Sequence, residues 1–294
     1  MATAGQWFEG ARPRTLGAAI APIAVGTGVA AAVGGLQVGR ALLALIVMVA
    51  AQVGTNFAND YSDGVRGTDT SRVGPVRLVG QSLARPRTVA LTALACFAVA
   101  AVAGLALIIG TGEWWLLAVG AASLLAAWLY TGGPAPYGYL GLGEIAVFIF
   151  FGIVPVVGTT YVQVLSVPTS AWISGIAVGA LACAILVANN LRDIPTDTPA
   201  GKRTLAVRIG DRATRVLYVV LIGAAFVMVP VLALPVGFGL SFASIALLAL
   251  PLAFRPVRSV STGAVGAALI PVLQATGILL LAFGLLLGIG IGLS

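Results

Sequence analysis

Two short acidic segments carry the residues that could do chemistry. One is Asn59-Asp60-Tyr61-Ser62-Asp63-Gly64-Val65-Arg66-Gly67-Thr68-Asp69, the other Asn189-Asn190-Leu191-Arg192-Asp193-Ile194-Pro195-Thr196-Asp197. Together they hold five of the nine acidic residues, and each closes an apolar run of membrane-crossing length. A carboxylate at the centre of a bilayer costs about 2.5–3.5 kcal/mol on insertion scales, so one kept near a bilayer points to function. Two Asp clusters with Arg and Lys beside them suit divalent cations that hold a polyanion such as diphosphate. In the first segment, Gln52, Asn56, Asn59 or Asp60, and Asp63 recur at helical spacing and share one face. A polar stripe on an otherwise apolar helix turns to the bundle interior, away from lipid. Asn189 and Asp193 repeat the i, i+4 relation. Pro195 disfavours helical geometry at Ile194, so the helix is expected to end or kink there, with Asp197 near the site but on no assigned face.

The chain has no histidine. That removes the commonest general base and the commonest ligand of zinc, copper and iron. A metal here is expected to be a hard, oxygen-bound cation, which favours Mg²⁺; it keeps several waters and binds through one or two carboxylates plus substrate phosphates. Arg66, Arg72, Lys202 and Arg203 stand in the adjoining loops to neutralise the remaining anionic charge. Such an arrangement stabilises the charge that develops as a bond to diphosphate breaks. Cys96 and Cys183 lie in apolar runs without partner spacing and read as buried small hydrophobes. Trp114, Trp115 and Trp128 read as interface anchors or core.

The elements that must position these residues are membrane helices. Of 294 residues, 60% are hydrophobic and 9% charged, with a mean hydropathy of +1.07; soluble domains carry about 25% charged residues. The apolar runs are continuous, which argues against a β-barrel, and the start of the chain does not read as a cleavable signal peptide. Hydropathy predicts nine spans, at about 15–36, 41–60, 88–110, 114–130, 141–161, 170–191, 214–234, 236–254 and 265–292, the last with a break near Pro271. The expectation is an all-α integral membrane protein, one domain over 1–294, a nine-helix bundle with a cytoplasm-facing polar cavity. With the N-terminus inside, every basic residue but Arg40 falls on the cytoplasmic side, as the positive-inside rule requires. The acidic segments close spans two and six, four crossings apart, so both belong to that side. The chain also divides into two similar halves, and sites between such halves are common in membrane bundles.

Further motifs extend the pattern. They are Ala11-Arg12-Pro13-Arg14-Thr15-Leu16 with Ala21-Pro22, Gly74-Pro75-Val76-Arg77-Leu78-Val79, and Tyr130-Thr131-Gly132-Gly133-Pro134. After them come Tyr139-Leu140-Gly141-Leu142-Gly143-Glu144 and Gly201-Lys202-Arg203-Thr204-Leu205. Over nearly its whole length the chain resembles the UbiA superfamily of intramembrane aromatic prenyltransferases. Within it, the Gly-Pro-x-Arg-Leu and Gly-Lys-Arg-Thr-Leu segments resemble the menaquinone-pathway (MenA-type) 1,4-dihydroxy-2-naphthoate polyprenyltransferases. One departure stands out: the superfamily spaces its first motif Asn-x-x-x-Asp-x-x-x-Asp, whereas here Asn59 and Asp63 are followed by Gly67 and the next acid is Asp69.

The resemblance implies Mg²⁺-dependent transfer of a polyprenyl group from polyprenyl diphosphate to 1,4-dihydroxy-2-naphthoate, with loss of CO₂ and diphosphate. The product, demethylmenaquinol, enters the membrane lipid directly. Asn59, Asp63, Asp69, Asp193 and Asp197 would hold metal and diphosphate with Asp60 in support, and turnover would depend on Asp63 and Asp193. Arg12, Arg14, Asn56 and Tyr139 are candidates for the aromatic substrate, and Arg66, Arg72, Lys202 and Arg203 for diphosphate. The expected setting is a bacterial plasma membrane, with the N-terminus and the active site on the cytoplasmic side and no nucleic-acid partner. A sibling enzyme acting on 4-hydroxybenzoate, homogentisate or another acceptor is the first alternative. An ion-coupled transporter is the second, although its sites belong near mid-membrane.

Overall fold

With so little polar solvent available in a bilayer, the backbone must satisfy its amides internally, and the chain does so as helices. The structure, a computed structural model, describes residues 2–67, 76–233 and 242–294. Its helices are α1 (Ala4–Gly10), α2 (Gly17–Ala32), α3 (Val38–Arg66), α4 (Pro86–Thr111), α5 (Leu116–Leu129), α6 (Gly143–Val147), α7 (Val154–Val164), α8 (Thr169–Asp197), α9 (Leu205–Ala233), α10 (Leu250–Ser261) and α11 (Ile270–Gly292). A π-helical turn, Phe148–Ile153, joins α6 to α7 into one span.

Among the described residues, seven helical segments are long and apolar enough to cross a membrane. An eighth forms if Ala4–Thr15 and Gly17–Ala32, bent by 46°, count as one. The expected number was nine, and the remaining expected segment corresponds to the shorter apolar helix α5. Helix α5 has 14 residues, about 21 Å of rise against a hydrocarbon core of about 30 Å. The expected span 236–254 begins outside the described residues and continues as a 3-10 segment, Phe242–Ala249, before α10. The break expected near Pro271 falls where the 3-10 turn Gly266–Leu269 meets α11. Pro271 then lies in the first turn of α11, where no amide partner is lost.

Helix α8 is the most buried of the spans and anchors the main core, with Ala177, Leu181, Ala184 and Val187 packed against Tyr218 and Phe226 of α9 and Phe283 of α11. Close backbone approach sets the helix directions. A Cβ on Gly28 would lie 2.0 Å from the Gly288 carbonyl oxygen, while Gly17 meets Gly277. The contacts rise together along both chains, so α2 and α11 run parallel. Gly26 meets Val156 and Gly35 meets Val164, and Thr160 Oγ1 donates to the Gly26 carbonyl at 3.0 Å, which makes α2 and α7 parallel too. At the π turn, Gly152 presses on Gly179 of α8.

Candidate active site

The stripe predicted on α3 exists, and it does two jobs. Gln52 Nε2 donates to Thr15 Oγ1 at 2.9 Å. Asn56 Nδ2 donates to the Ala11 carbonyl at 2.9 Å and to Thr15 Oγ1 at 3.1 Å. These amides clamp the turn that carries Arg12 and Arg14. Arg12 itself sits at φ 54, a left-handed conformation that is uncommon outside glycine, and its carbonyl accepts from both Thr15 N and Thr15 Oγ1 at 2.8 Å. Asn56 therefore holds the arginine turn, and it also lines an apolar cavity.

One turn further on, Asn59 Oδ1 accepts from Thr131 Oγ1 at 2.8 Å. Asp63 Oδ1 accepts from Tyr139 Oη at 2.5 Å and faces Lys202 Nζ at 3.6 Å. The Lys202 ammonium lies 4.5 Å from the centre of the Tyr139 ring, within cation–π range. Backbone ties bring the loops in: Lys202 N donates to the Asp197 carbonyl and Arg203 N to the Tyr139 carbonyl, both at 3.0 Å. On α8, Arg192 Nε donates to Asp193 Oδ1 at 2.6 Å and its Nη2 to Asp193 Oδ2 at 2.8 Å. Asn189 receives the same guanidinium at 2.9 Å.

Pro195 does not end α8. The helix runs on to Asp197 with Pro195 inside it, so of the two expected outcomes, an end or a kink, the end is overturned, and Asp193 and Asp197 are an i, i+4 pair. Thr196 Oγ1 donates to the Asp193 carbonyl at 3.0 Å and Thr198 Oγ1 to the Ile194 carbonyl at 2.8 Å. These hydroxyls knit the last turn where proline supplies no amide.

The carboxyl ends of α3 and α8 thus meet around a polar cavity of about 530 Å³. Asn59, Asp63, Asn189, Asn190 and Asp197 line it, together with Thr131 and Tyr139. So do Arg12, Arg14, Arg77, Arg192 and Lys202. Five cations and three carboxylates (Glu9, Asp63 and Asp197) line it, and Arg192 is paired with Asp193, which does not itself line the cavity, so one positive charge remains in excess, which suits an anion. A second cavity of about 590 Å³ is almost wholly apolar. Gln52, Asn59, Tyr130, Val147, Phe151 and Leu186 line both, so the two cavities adjoin along these side chains. Along α3 the apolar cavity follows one face from Ala44 through Met48, Ala51 and Thr55 to Asn59, about 22 Å of helix. Tyr137, which lines it, donates from Oη to the Ala126 carbonyl at 2.7 Å, and burial pushes its phenol up to about 12.

The other expected residues fall as follows. Asp60 lies outside both cavities and accepts the amides of Leu78 and Val79. Arg66 is exposed and donates to the carbonyls of Thr131 and Gly133, with its guanidinium carbon 5.6 Å from the Tyr139 ring centre. Arg203 is exposed. Asp69 and Arg72 lie outside the described residues. Among the described residues, no three His, Cys, Asp or Glu side chains gather as a metal cluster. The donors across the cavity are the Asp63 and Asp197 carboxylates and the Asn59 amide oxygen, a set of hard oxygens. Two carboxylates plus substrate phosphates are what Mg²⁺ commonly takes, so the donor chemistry fits that ion.

The match to known proteins decides what this geometry belongs to. A model of the UbiA prenyltransferase family matches residues 19–261. The chain belongs to the UbiA prenyltransferase family. Among curated UbiA-family relatives, it is 53% identical to a protein of Mycobacterium tuberculosis named 1,4-dihydroxy-2-naphthoate octaprenyltransferase, over 97% of this chain and 96% of that one. A protein of the same name in Escherichia coli is 42% identical, covering 70% of this chain and 68% of the other. Solved UbiA homologues share the fold: that of Aeropyrum pernix K1 superposes with a TM-score of 0.71 at 17% identity, covering 94% of this chain and 96% of that one. A homologue from Archaeoglobus fulgidus bound to DMAPP and Mg²⁺ superposes at 0.67 and 16% identity, covering 96% and 99%.

Sequence reasoning assigned no role to several residues of this UbiA-family cavity. Arg77 belongs to the Gly-Pro-x-Arg-Leu motif, Thr131 to Tyr-Thr-Gly-Gly-Pro, and Arg192 stands beside Asp193, yet each proves to be a wall residue. Gln274 of α11 also lines the cavity, and nothing in its apolar surroundings marks it out. The buried Glu144 accepts from Asn190 Nδ2 at 2.9 Å, a pairing across 46 residues that no local pattern announces.

Proposed function

We propose that the protein transfers a polyprenyl group from polyprenyl diphosphate to 1,4-dihydroxy-2-naphthoate, releasing diphosphate and CO₂ and forming demethylmenaquinol. The observation that carries this reading is a cation-rich polar cavity lying directly beside an apolar one, with side chains in common. Such a pair suits a substrate with a polyanionic head and a hydrocarbon tail. The names borne by the relatives supply the acceptor. Nine crossings are part of the same reading. The parallel runs of α2 with α7 and of α2 with α11 fit alternating helices in which α5 counts as a crossing. The N-terminus and the polar cavity then face the cytoplasm of a bacterial cell, the side favoured by the arginine distribution.

The residues divide the work. Asn59, Asp63 and Asp197 would hold Mg²⁺, with Asp193 and Asp69 completing the two motifs. The ion supplies a Lewis acid for the diphosphate oxygens. Tyr139 and Lys202 fix the orientation of Asp63, and Lys202, Arg192, Arg77 and Arg12 offset the charge that grows on the leaving diphosphate. The bond from the allylic carbon to oxygen breaks with its electron pair going to diphosphate. Tyr130, at the junction of the cavities, presents an aromatic ring to the cationic carbon that remains. The naphthoate ring attacks through the carbon bearing the carboxylate, and loss of CO₂ returns an electron pair to the ring. Arg14, on the turn clamped by Gln52 and Asn56 and lining the polar cavity, would meet the acceptor's carboxylate.

Purified protein with Mg²⁺, a long polyprenyl diphosphate and the naphthoate is expected to yield prenylated naphthoquinol and CO₂. Turnover of 4-hydroxybenzoate with none of the naphthoate would overturn the acceptor assignment. A transporter would need its ion sites near mid-membrane, whereas these carboxylates gather at the carboxyl ends of α3 and α8.

A further inference from the structure

Helix α3 presents a second functional face beside the cavity stripe. Asp60 follows Asn59 by one residue, about 100° around the helix, and so turns away from the cavity. It is 1% exposed, a costly place for a carboxylate unless it is fully hydrogen-bonded. Its Oδ2 accepts Leu78 N at 2.7 Å and its Oδ1 accepts Val79 N at 3.2 Å. Both carboxylate oxygens are thus engaged by consecutive backbone amides.

Those amides begin a compact turn. Gln81 N donates to the Arg77 carbonyl at 3.0 Å, and Leu83 N and Ala84 N to the Leu78 carbonyl at 2.8 and 2.9 Å. One helical turn past Asp60, Gly64 leaves room for the seat: a Cβ there would lie 2.5 Å from Val79 Cγ1. Leu78 is fully buried against Phe57 and packs on Gly10, where an added Cβ would meet its Cδ1 at 3.1 Å. Phe57, Asp60 and Gly64 thus form a receiving face at helical spacing, distinct from the stripe of Gln52, Asn56, Asn59 and Asp63. The residue just before the anchored amides is Arg77, which is 7% exposed and lines the polar cavity.

We infer that Asp60 is a positioning residue and not a metal ligand: by holding the Leu78 and Val79 amides it sets the Arg77 guanidinium in the polar cavity, against the anionic head of the substrate. This inference rests on the reading of that cavity as the diphosphate site. The division of labour is physical. Asn59 and Asp63 spend their oxygens inside the cavity, whereas Asp60 spends its own on backbone and acts only through the arginine that follows.

The test is a double-mutant cycle on the full-length protein in lipid nanodiscs. It reads the binding of a non-transferable prenyl thiolodiphosphate together with the Mg²⁺ concentration that half-saturates that binding. Asp60→Ala and Arg77→Ala are each expected to weaken binding about tenfold, the scale of one hydrogen bond to a charged group. The double variant should bind within about twofold of Arg77→Ala alone, because a residue acting through its partner adds nothing once the partner is gone. The half-saturating Mg²⁺ concentration should stay put in Asp60→Ala and rise in Asp63→Ala. Losses that multiply to about a hundredfold, wild-type binding by Asp60→Ala, or a Mg²⁺ shift matching that of Asp63→Ala would each overturn the inference. If Asp60→Ala does not fold, the isosteric Asp60→Asn, which keeps one acceptor oxygen, is read by the same two criteria. Wild-type protein that ignores the thiolodiphosphate altogether would refute the diphosphate reading itself. Failure of the cycle with intact wild-type binding would refute only the role given to Asp60.

Discussion

Removing one oxygen atom, in Tyr139→Phe, tests whether Asp63 is held in place from outside its own helix. The hydroxyl donates to Asp63 Oδ1 at 2.5 Å, while the ring stacks with Lys202 and the backbone carbonyl accepts from Arg203. Phenylalanine keeps the ring and the carbonyl and loses only the charge-assisted hydrogen bond. Such a bond is worth about 1.5–3 kcal/mol, and about 1.4 kcal/mol is a factor of ten in rate. If the aligned Asp63 matters most as diphosphate departs, kcat/KM for the prenyl donor falls about 10- to 100-fold. The assay is the initial rate of prenylated naphthoquinol formation against donor concentration, at saturating naphthoate and Mg²⁺, beside a thermal melt. The melting midpoint should fall by about a few degrees, because the buried Asp63 loses one partner while the ring and its packing stay in place. A kcat/KM within about twofold of wild type would refute the reasoning, since an orienting contact of this geometry cannot be removed at no cost.

Other expectations follow from the same geometry. Asp63→Ala and Asp193→Ala should each abolish detectable turnover while the protein still extracts as a folded species; wild-type rates in either would remove that residue from the site. Chelation of divalent ions should stop turnover and added Mg²⁺ restore it, and unchanged rates in excess chelator would end the metal reading. Gly104 lines the apolar cavity and has open space around its Cα, the nearest atom to an added Cβ being Val47 Cγ2 at 3.9 Å. Gly104→Phe should therefore depress kcat/KM for long polyprenyl donors more than for geranyl diphosphate. Equal losses for both would mean that the tail lies elsewhere. Gly152→Ala places a Cβ 2.3 Å from the Gly179 backbone; overpacking of this kind costs about 1–3 kcal/mol, read as a lowered melting midpoint.

Much of this was legible because helical periodicity fixes which side chains share a face. Gln52, Asn56, Asn59 and Asp63 stand on one stripe of α3 in the sequence and in the structure, and the two acidic segments do meet at one end of the bundle. Arg40, the basic residue set apart by charge distribution, sits near the other end of α3, where it donates to the carbonyls of Val162 and Gly110 at 2.9 Å. What stayed hidden depends on tertiary contact. The sequence could not separate Asn59 from Asp60, because only the docking of residues 78 and 79 shows which of the two is spent on backbone. It could not tell an end from a continuation at Pro195, because the last turn of α8 is held by the hydroxyls of Thr196 and Thr198. It could not show that one of the nine expected spans, Leu116–Leu129, is a helix of only 14 residues, or that the first is bent by 46° against the segment before it, because both depend on where the helices start and stop in the packed bundle.

The most direct test of the central claim is a structure of the protein with Mn²⁺ in place of Mg²⁺ and a prenyl thiolodiphosphate, with the metal located by anomalous scattering. The account predicts manganese within coordination distance, about 2.0–2.3 Å, of oxygens from Asp63 on α3 and Asp197 on α8. The diphosphate should lie in the polar cavity and the tail along the α3 face from Asn59 toward Ala44. A diphosphate bound with no metal near either carboxylate, or a tail running away from that face, would contradict it.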